Sequence, residues 1–259
     1  MIATASDGTH LHYTEAGSGP PLALLGGKTS SIDGAWWRYI PALAEHFRVI
    51  ALDNRGAGQS DKPDHPYTTA MMADDAVAVL SAAGETSAHW MGISLGGMIL
   101  QQLALARPAA VRSLILTATH CGDGGPGDEN TKPKAPADNR LARYANLYSA
   151  SFIREQPAWV LEDARHFGKM PLHAIHRQDQ AVRTHRTCAR LGEITQPVLV
   201  IHGQQDRMVP VQRAKELAEG LPNAELRILD PAGHQVHSEQ FGTVVELVRR
   251  FVEGVESTR

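Results

Sequence analysis

Met91-Gly92-Ile93-Ser94-Leu95-Gly96-Gly97 places one serine in a G-x-S-x-G turn. Ahead of it, Ala88-His89-Trp90-Met91 reads as a short buried strand. Behind it, Met98-Ile99-Leu100-Gln101-Gln102-Leu103-Ala104-Leu105 reads as a helix. A strand that turns so sharply into a helix needs small residues around the serine, and Gly92 and Gly96 let the neighbouring backbones approach closely. The hydroxyl is then held out at the strand end. The N–H groups of the following helix begin just behind it, where a developing negative charge is stabilised. The short pattern also arises by chance, or as a plain turn serine, so its meaning depends on the rest of the chain.

Outward from this turn, short apolar runs alternate with helical patterns. Asp7-Gly8 lies between two β-like pieces, a hairpin signal. Leu22-Ala23-Leu24-Leu25 opens into Gly26-Gly27, and Phe47-Arg48-Val49-Ile50-Ala51-Leu52 ends at the polar glycine loop Asp53 to Ser60. Trp36 to Ala44 reads as helical, with Trp37, Ile40 and Leu43 in helical register, and so does Thr69 to Ala83. Strands over Val111–Thr117, Val198–Ile201 and Leu226–Leu229 follow, with helices over Val211–Gly220 and from Glu239 to Phe251. Such alternation predicts an α/β fold with a mostly parallel central sheet and helices on both faces.

The alternation breaks between His120 and Leu191. Cys121 to Asp138 is rich in Gly, Pro, Asp and Lys and reads as a loop. Leu141, Tyr144, Leu147, Tyr148 and Phe152 then share a helical face, and Trp159–Phe167 and Ala174–Leu191 also read as helical. This stretch is too short to bury an independent core comfortably. The expected organisation is therefore a core from residues 1–119 and 192–259, with a small helical insertion over 120–191.

The whole chain of 259 residues has room for one large α/β domain. Its net charge of -3 gives no sign of nucleic acid or an acidic membrane surface as partner. No run approaches the ~18 apolar residues of a membrane span, and the N-terminus lacks the basic and apolar parts of a signal peptide. Two cysteines, Cys121 and Cys188, do not make a disulfide framework, which points to a reducing, cytoplasmic setting.

A nucleophilic serine needs a base, and the base needs an acid to fix its tautomer. In an open α/β sheet all three belong on loops at the C-terminal ends of strands. Asp206 lies in the loop after Val198-Leu199-Val200-Ile201, and His234 in the loop after Leu226-Arg227-Ile228-Leu229. The chain order Ser, Asp, His is the order of a nucleophile elbow on such a sheet. His237 is a rival base, and Asp230, Asp53 and Asp74 are rival acids, each also explained as a turn, loop or helix-surface residue. His166, His173, His176 and His185 read as solvated or pocket-lining side chains, since no acid or cysteine cluster supports a metal among them. Arg55 with Asp53 is expected to brace the glycine loop. Of Trp36 and Trp37, one ring is expected in the core and the other toward the pocket.

These pieces resemble the α/β-hydrolase fold family over nearly the whole chain. The matching segments are Gly26-Gly27-Lys28, Asp53-Asn54-Arg55-Gly56-Ala57-Gly58-Gln59-Ser60, Gly92 to Gly97, Ile201-His202-Gly203-Gln204-Gln205-Asp206-Arg207-Met208-Val209-Pro210 and Gly233-His234. The resemblance implies Ser94 as nucleophile, Asp206 as acid and His234 as base, with the insertion as a substrate-shaping cap. It implies an oxyanion hole of two backbone N–H groups, that of Leu95 and that of Lys28, with Gly27 second to Lys28. The family usually has His-Gly-x in that loop, and Gly26 stands in the place of the His. Within the family the chain looks most like the esterase, enol-lactonase and methylesterase group. The implied reaction is hydrolysis of a small or medium ester or lactone, with no cofactor or metal. Carbon–carbon bond hydrolysis, cyanohydrin lysis and perhydrolysis use the same triad, and the fold also serves as a low-turnover small-molecule receptor. Lys28 could read an acidic substrate group or be an exposed loop lysine.

Overall fold

A computed structural model describes residues 1–122, 141 and 144–259. Its centre is an eight-stranded sheet: β1 (Ile2–Thr4), β2 (His10–Ala16), β3 (Pro21–Leu25), β4 (Arg48–Leu52), β5 (Ala88–Ile93), β6 (Val111–Thr117), β7 (Val198–Gly203) and β8 (Ala224–Leu229). The spatial order is β1-β2-β4-β3-β5-β6-β7-β8. β1 and β2 form the antiparallel hairpin announced by Asp7-Gly8, and β2 joins β4 antiparallel. All later pairings are parallel.

The central strands read as unbroken apolar runs because both faces are covered. Along β3, Leu22 and Leu24 pack into one core cluster while Ala23 and Leu25 pack into the other. The face of Ala23 and Leu25 is closed by the helices Thr69–Ala82, Leu95–Ala106 and Val211–Gly220. The other is closed by Tyr39–Leu43 and by Phe241–Glu256, whose Val244, Val248 and Val252 recur every fourth residue and are fully buried. Because the strands run parallel, every strand-end loop of the α/β part opens at the same edge.

Two expected helices are interrupted. Of the expected helix Trp36 to Ala44 only Tyr39–Leu43 is helical, and a separate short helix, Ile32–Ala35, precedes it. That preceding helix is fixed by tertiary contact, since Ile32 N–H donates to Asp53 Oδ1 at 2.7 Å. The last helix breaks at Gln240, between Val236–Glu239 and Phe241–Glu256. Between β6 and β7 lie helices over Ala150–Glu155, Pro157–His166 and Leu172–Thr184. The first two enclose a small apolar cluster of their own with Leu141, Tyr144 and Tyr148. Residues 144–148 form turns rather than the expected helix, and the loop expected over 123–138 lies outside the described residues.

Cys121 and Cys188 are joined in a disulfide, which corrects the expectation for these residues. The reason lies in the topology. β6 and β7 are hydrogen-bonded neighbours, so a chain that leaves one and returns to the other must bring its ends together. An antiparallel bridge of Gly122 with Arg186 and a Thr187 N–H bond to the Cys121 carbonyl (2.8 Å) sit at the same place. The inference of a reducing compartment rested on unpaired thiols and loses that ground. Among the described residues, no helix is long and apolar enough to cross a membrane.

Candidate active site

Ser94 follows β5 with φ 51° and ψ -112°, a backbone conformation that is strained for any residue but glycine. The surroundings over-determine it. Ser94 N–H donates to the Thr117 carbonyl at 2.9 Å, and its own carbonyl accepts from Thr119 Oγ1 at 2.7 Å. The turn is also too tight for side chains on either side. A Cβ at Gly92 would stand 2.5 Å from the Gly96 carbonyl carbon, and one at Gly96 would stand 2.3 Å from the Leu25 carbonyl oxygen. Ser94 begins the helix Leu95–Ala106, so Leu95 carries one of the first N–H groups, which have no acceptor within the helix.

The loop after β3 lies directly against this serine. A Cβ placed on Gly27 would be 3.5 Å from Ser94 Cβ and 3.5 Å from the Ile93 carbonyl oxygen. Gly27 is thus packed beside Ser94. Thr29 in the same loop has φ 65°, a second strained non-glycine residue at this edge of the sheet. The Lys28 ammonium donates to Asp179 Oδ1 at 2.9 Å.

Asp206 and His234 meet as expected from their loops. His234 Nδ1 lies 2.8 Å from Asp206 Oδ2. Asp206 Oδ1 accepts from the N–H groups of Met208 and Val209, both at 2.8 Å. His202 Nε2 stands 3.2 Å from Oδ2 while donating to the Val209 carbonyl at 2.8 Å. Burial alone would push the Asp206 carboxyl up. Its electrostatic interaction with His234 and the hydrogen bonds from His202 and His234 outweigh that and hold it well below the usual carboxylate range. Asp206 is thereby kept ionised, and its bond to Nδ1 leaves Nε2 of His234 as the nitrogen available for proton transfer. Ser94 Oγ makes no hydrogen bond to another described residue.

The rivals stand in other settings. Burial lowers His237 to about 3, so it stays neutral, and its Nδ1 has no partner among the described residues. Asp53 accepts from Ile32 N–H, Gln59 N–H and His12 Nδ1, which makes it a loop brace. Asp74 meets Arg107 on an exposed surface, and Asp230 meets Gln205. Arg55 is indeed buried and structural, but its main partner is Asp75, at 2.5 and 2.6 Å, with Asp7 at 3.0 Å, and not Asp53. Trp36 is fully buried, whereas Trp37 stacks on His166 at 4.2 Å and beneath the Arg38 guanidinium at 3.8 Å. Among the described residues, no group of three or more His, Cys, Asp or Glu side chains is placed to hold a metal.

Glu239 was not anticipated from sequence. It is buried and accepts from Gly233 N–H at 2.8 Å, Ser149 N–H at 2.9 Å and Ser149 Oγ at 2.5 Å. It therefore ties the loop carrying His234 to the segment between β6 and β7. Only the three-dimensional meeting of residues 149, 233 and 239 reveals this, since a lone glutamate near a helix end carries no such signal.

A family model described as alpha/beta hydrolase fold matches residues 20–241. A relative from Agrobacterium fabrum strain C58, provisionally named carbamate hydrolase RutD, is 32% identical over 240 residues, covering 84% of this chain and 87% of its own. A 2-hydroxymuconate semialdehyde hydrolase from Pseudomonas sp. strain CF600 is 29% identical, covering 97% of this chain and 92% of its own. Among solved structures, Est816, described as an N-acyl homoserine lactone degrading enzyme, superposes with a TM-score of 0.83 at 30% identity. That alignment covers 97% of this chain and all (100%) of Est816.

Proposed function

The chain belongs to the α/β-hydrolase fold family, and from that premise we propose that it is a serine hydrolase acting on a carboxylic ester or lactone of a small to medium organic molecule. The observation that carries this reading is the strained Ser94 on its elbow, at the same sheet edge as a histidine locked to a buried, ionised Asp206. His234 Nε2 takes the proton of Ser94, and Oγ attacks the carbonyl carbon. The N–H groups of Leu95 and Lys28 hold the oxyanion. The His234 cation, oriented by Asp206, protonates the departing alcohol, and water repeats the sequence on the acyl-enzyme. The helices Ala150–Glu155, Pro157–His166 and Leu172–Thr184 form the cap that shapes the pocket. The lactone-degrading activity in the description of Est816 supports the lactone half of the reading.

A second reading is carbamate hydrolysis on the same serine, favoured by the name of the relatives at 32–33% identity. It differs only in the group that Ser94 carries between the two steps. Turnover of p-nitrophenyl butyrate, a lactone panel and an aryl carbamate by wild type and Ser94→Ala tests both. Ester or lactone turnover lost in Ser94→Ala, with an acyl mass trapped on Ser94, is the expected result. Faster turnover of the carbamate would transfer the reading to that class. Full activity in Ser94→Ala would overturn the serine mechanism.

A further inference from the structure

The loop beside Ser94 lacks the anchoring side chain that position 26 could have carried, because that residue is Gly26. Its backbone is held from two other places. On the core side, Asn54 Nδ2 donates to the Gly26 carbonyl at 3.0 Å. On the other side, the helix Leu172–Thr184 supplies two adjacent residues. Gln178 Oε1 accepts from the Thr29 N–H at 2.8 Å, and Gln178 Nε2 donates to the Arg55 carbonyl at 2.9 Å. Asp179 Oδ1 accepts from Lys28 Nζ at 2.9 Å, while its Oδ2 accepts from Arg183 at 2.6 Å. Gln178 is fully buried, so both of its bonds are shielded from water. Thr29, which it holds, is in the left-handed region at φ 65°, a conformation that persists only where neighbours enforce it.

We infer that Gln178 and Asp179 are positioning residues for the oxyanion loop. The helix Leu172–Thr184 thus completes the site by aiming the Lys28 N–H, as well as covering it. This rests on the serine-hydrolase reading. Its physical content is that one amide side chain bridges two loops, Gly26–Ser30 and Asp53–Ser60, and fixes the strained turn between the Lys28 N–H and the rest of the chain. Asp179 adds a weaker, half-exposed tether on the Lys28 side chain. Displacing the cap helix would release both contacts at once and leave the elbow and the Asp206–His234 pair untouched.

The experiment compares wild type with Gln178→Leu, Asp179→Ala and Asp179→Glu. It measures kcat and KM for p-nitrophenyl butyrate and the hydrogen exchange of the Thr29 amide. Gln178→Leu is expected to lower kcat by about 10²-fold, the scale of one lost oxyanion donor, with KM changed by less than about threefold. Its Thr29 amide should exchange at least about tenfold faster. Asp179→Ala should lose roughly threefold in kcat, with Asp179→Glu restoring most of it. Unchanged exchange at Thr29 in Gln178→Leu would overturn the anchor. Faster exchange with unchanged kcat, or a loss wholly in KM, would overturn the link to catalysis. Wild-type protein without serine-dependent turnover would instead overturn the hydrolase reading, and the exchange result would still decide the anchor. Should Gln178→Leu fail to fold, the Asp179 pair decides the kcat question.

Discussion

Asp206 and His234 meet across loops that fasten to each other, whereas Gly26–Ser30 reaches Ser94 with help from a helix far along the chain. On the acid–base side, Gln204 N–H bonds the Leu229 carbonyl and Gln205 N–H bonds the Ala232 carbonyl, at 2.9 and 2.8 Å. Two more backbone N–H groups hold the Asp206 carboxylate. On the side of Gly26–Ser30, Asn54 holds the Gly26 carbonyl, and the side chains of Gln178 and Asp179 hold Thr29 and Lys28. The same edge of one sheet thus carries a half that the core builds and a half that the insertion completes. Perturbations of the core should strike chemistry directly, while perturbations of the insertion should strike it through the loop.

The largest effect separating the halves is expected from Asp206→Asn. It keeps the shape but favours the wrong His234 tautomer, and kcat should fall by about 10⁴-fold with melting little changed. A loss under tenfold would break the comparison, because the acid–base half would then not depend on this carboxylate. Gly96→Ala comes next. Its new methyl would press on the Leu25 and Gly26 carbonyls, at 2.3 and 2.9 Å, where the elbow touches the oxyanion loop. It should cost roughly 1–3 kcal/mol of stability and lower kcat more than it raises KM. Urea unfolding and steady-state kinetics check both parts.

Glu239→Ala sharpens the picture from the other side. It would strand the buried N–H groups of Gly233 and Ser149, costing about 2–3 kcal/mol in unfolding free energy. Glu239→Gln, which keeps an acceptor for both, should recover most of that. The last test is the pH dependence of stability. Burial lowers His185 to about 3, His237 to about 3 and His120 to about 4, all below the 6.5 of an exposed imidazole. The unfolded chain therefore binds protons that the folded one refuses. Stability is complete above about pH 6.5 and falls as the pH drops from there toward about 4, by up to ~1.4 kcal/mol per unit for each histidine. His185→Gln should flatten that slope by about one proton, read from melting temperatures between pH 7 and 4.5.

The sheet was legible because doubly covered strands must be largely apolar runs that end near glycine, and Leu22–Leu25, Ala88–Met91 and Val198–Ile201 all read so. The meeting of Asp206 and His234 was legible because both lie just past adjacent strand ends. Features decided by contacts between distant elements were not. The short helix Ile32–Ala35 begins where Asp53 holds the Ile32 N–H, a contact that no local pattern announces. Arg55 chose Asp75 over the nearer Asp53 because Asp53 was already filled by two backbone N–H groups and His12. Gln178 and Asp179 look like ordinary helix polar residues until the loop they hold is known. The cysteines, 67 residues apart, could be paired only once β6 and β7 were seen to be neighbours.

That Cys121–Cys188 bond closes the segment between the two strands into a covalent ring. A protease cut at any one place inside the ring leaves a single molecule, with both fragments still attached. The nicked protein should run as one species without reductant and as two with it. The ring also shrinks the unfolded ensemble, by about 4 kcal/mol on a chain-entropy estimate for a loop of this length. Damage to the segment between β6 and β7 therefore need not cost the protein its own missing half.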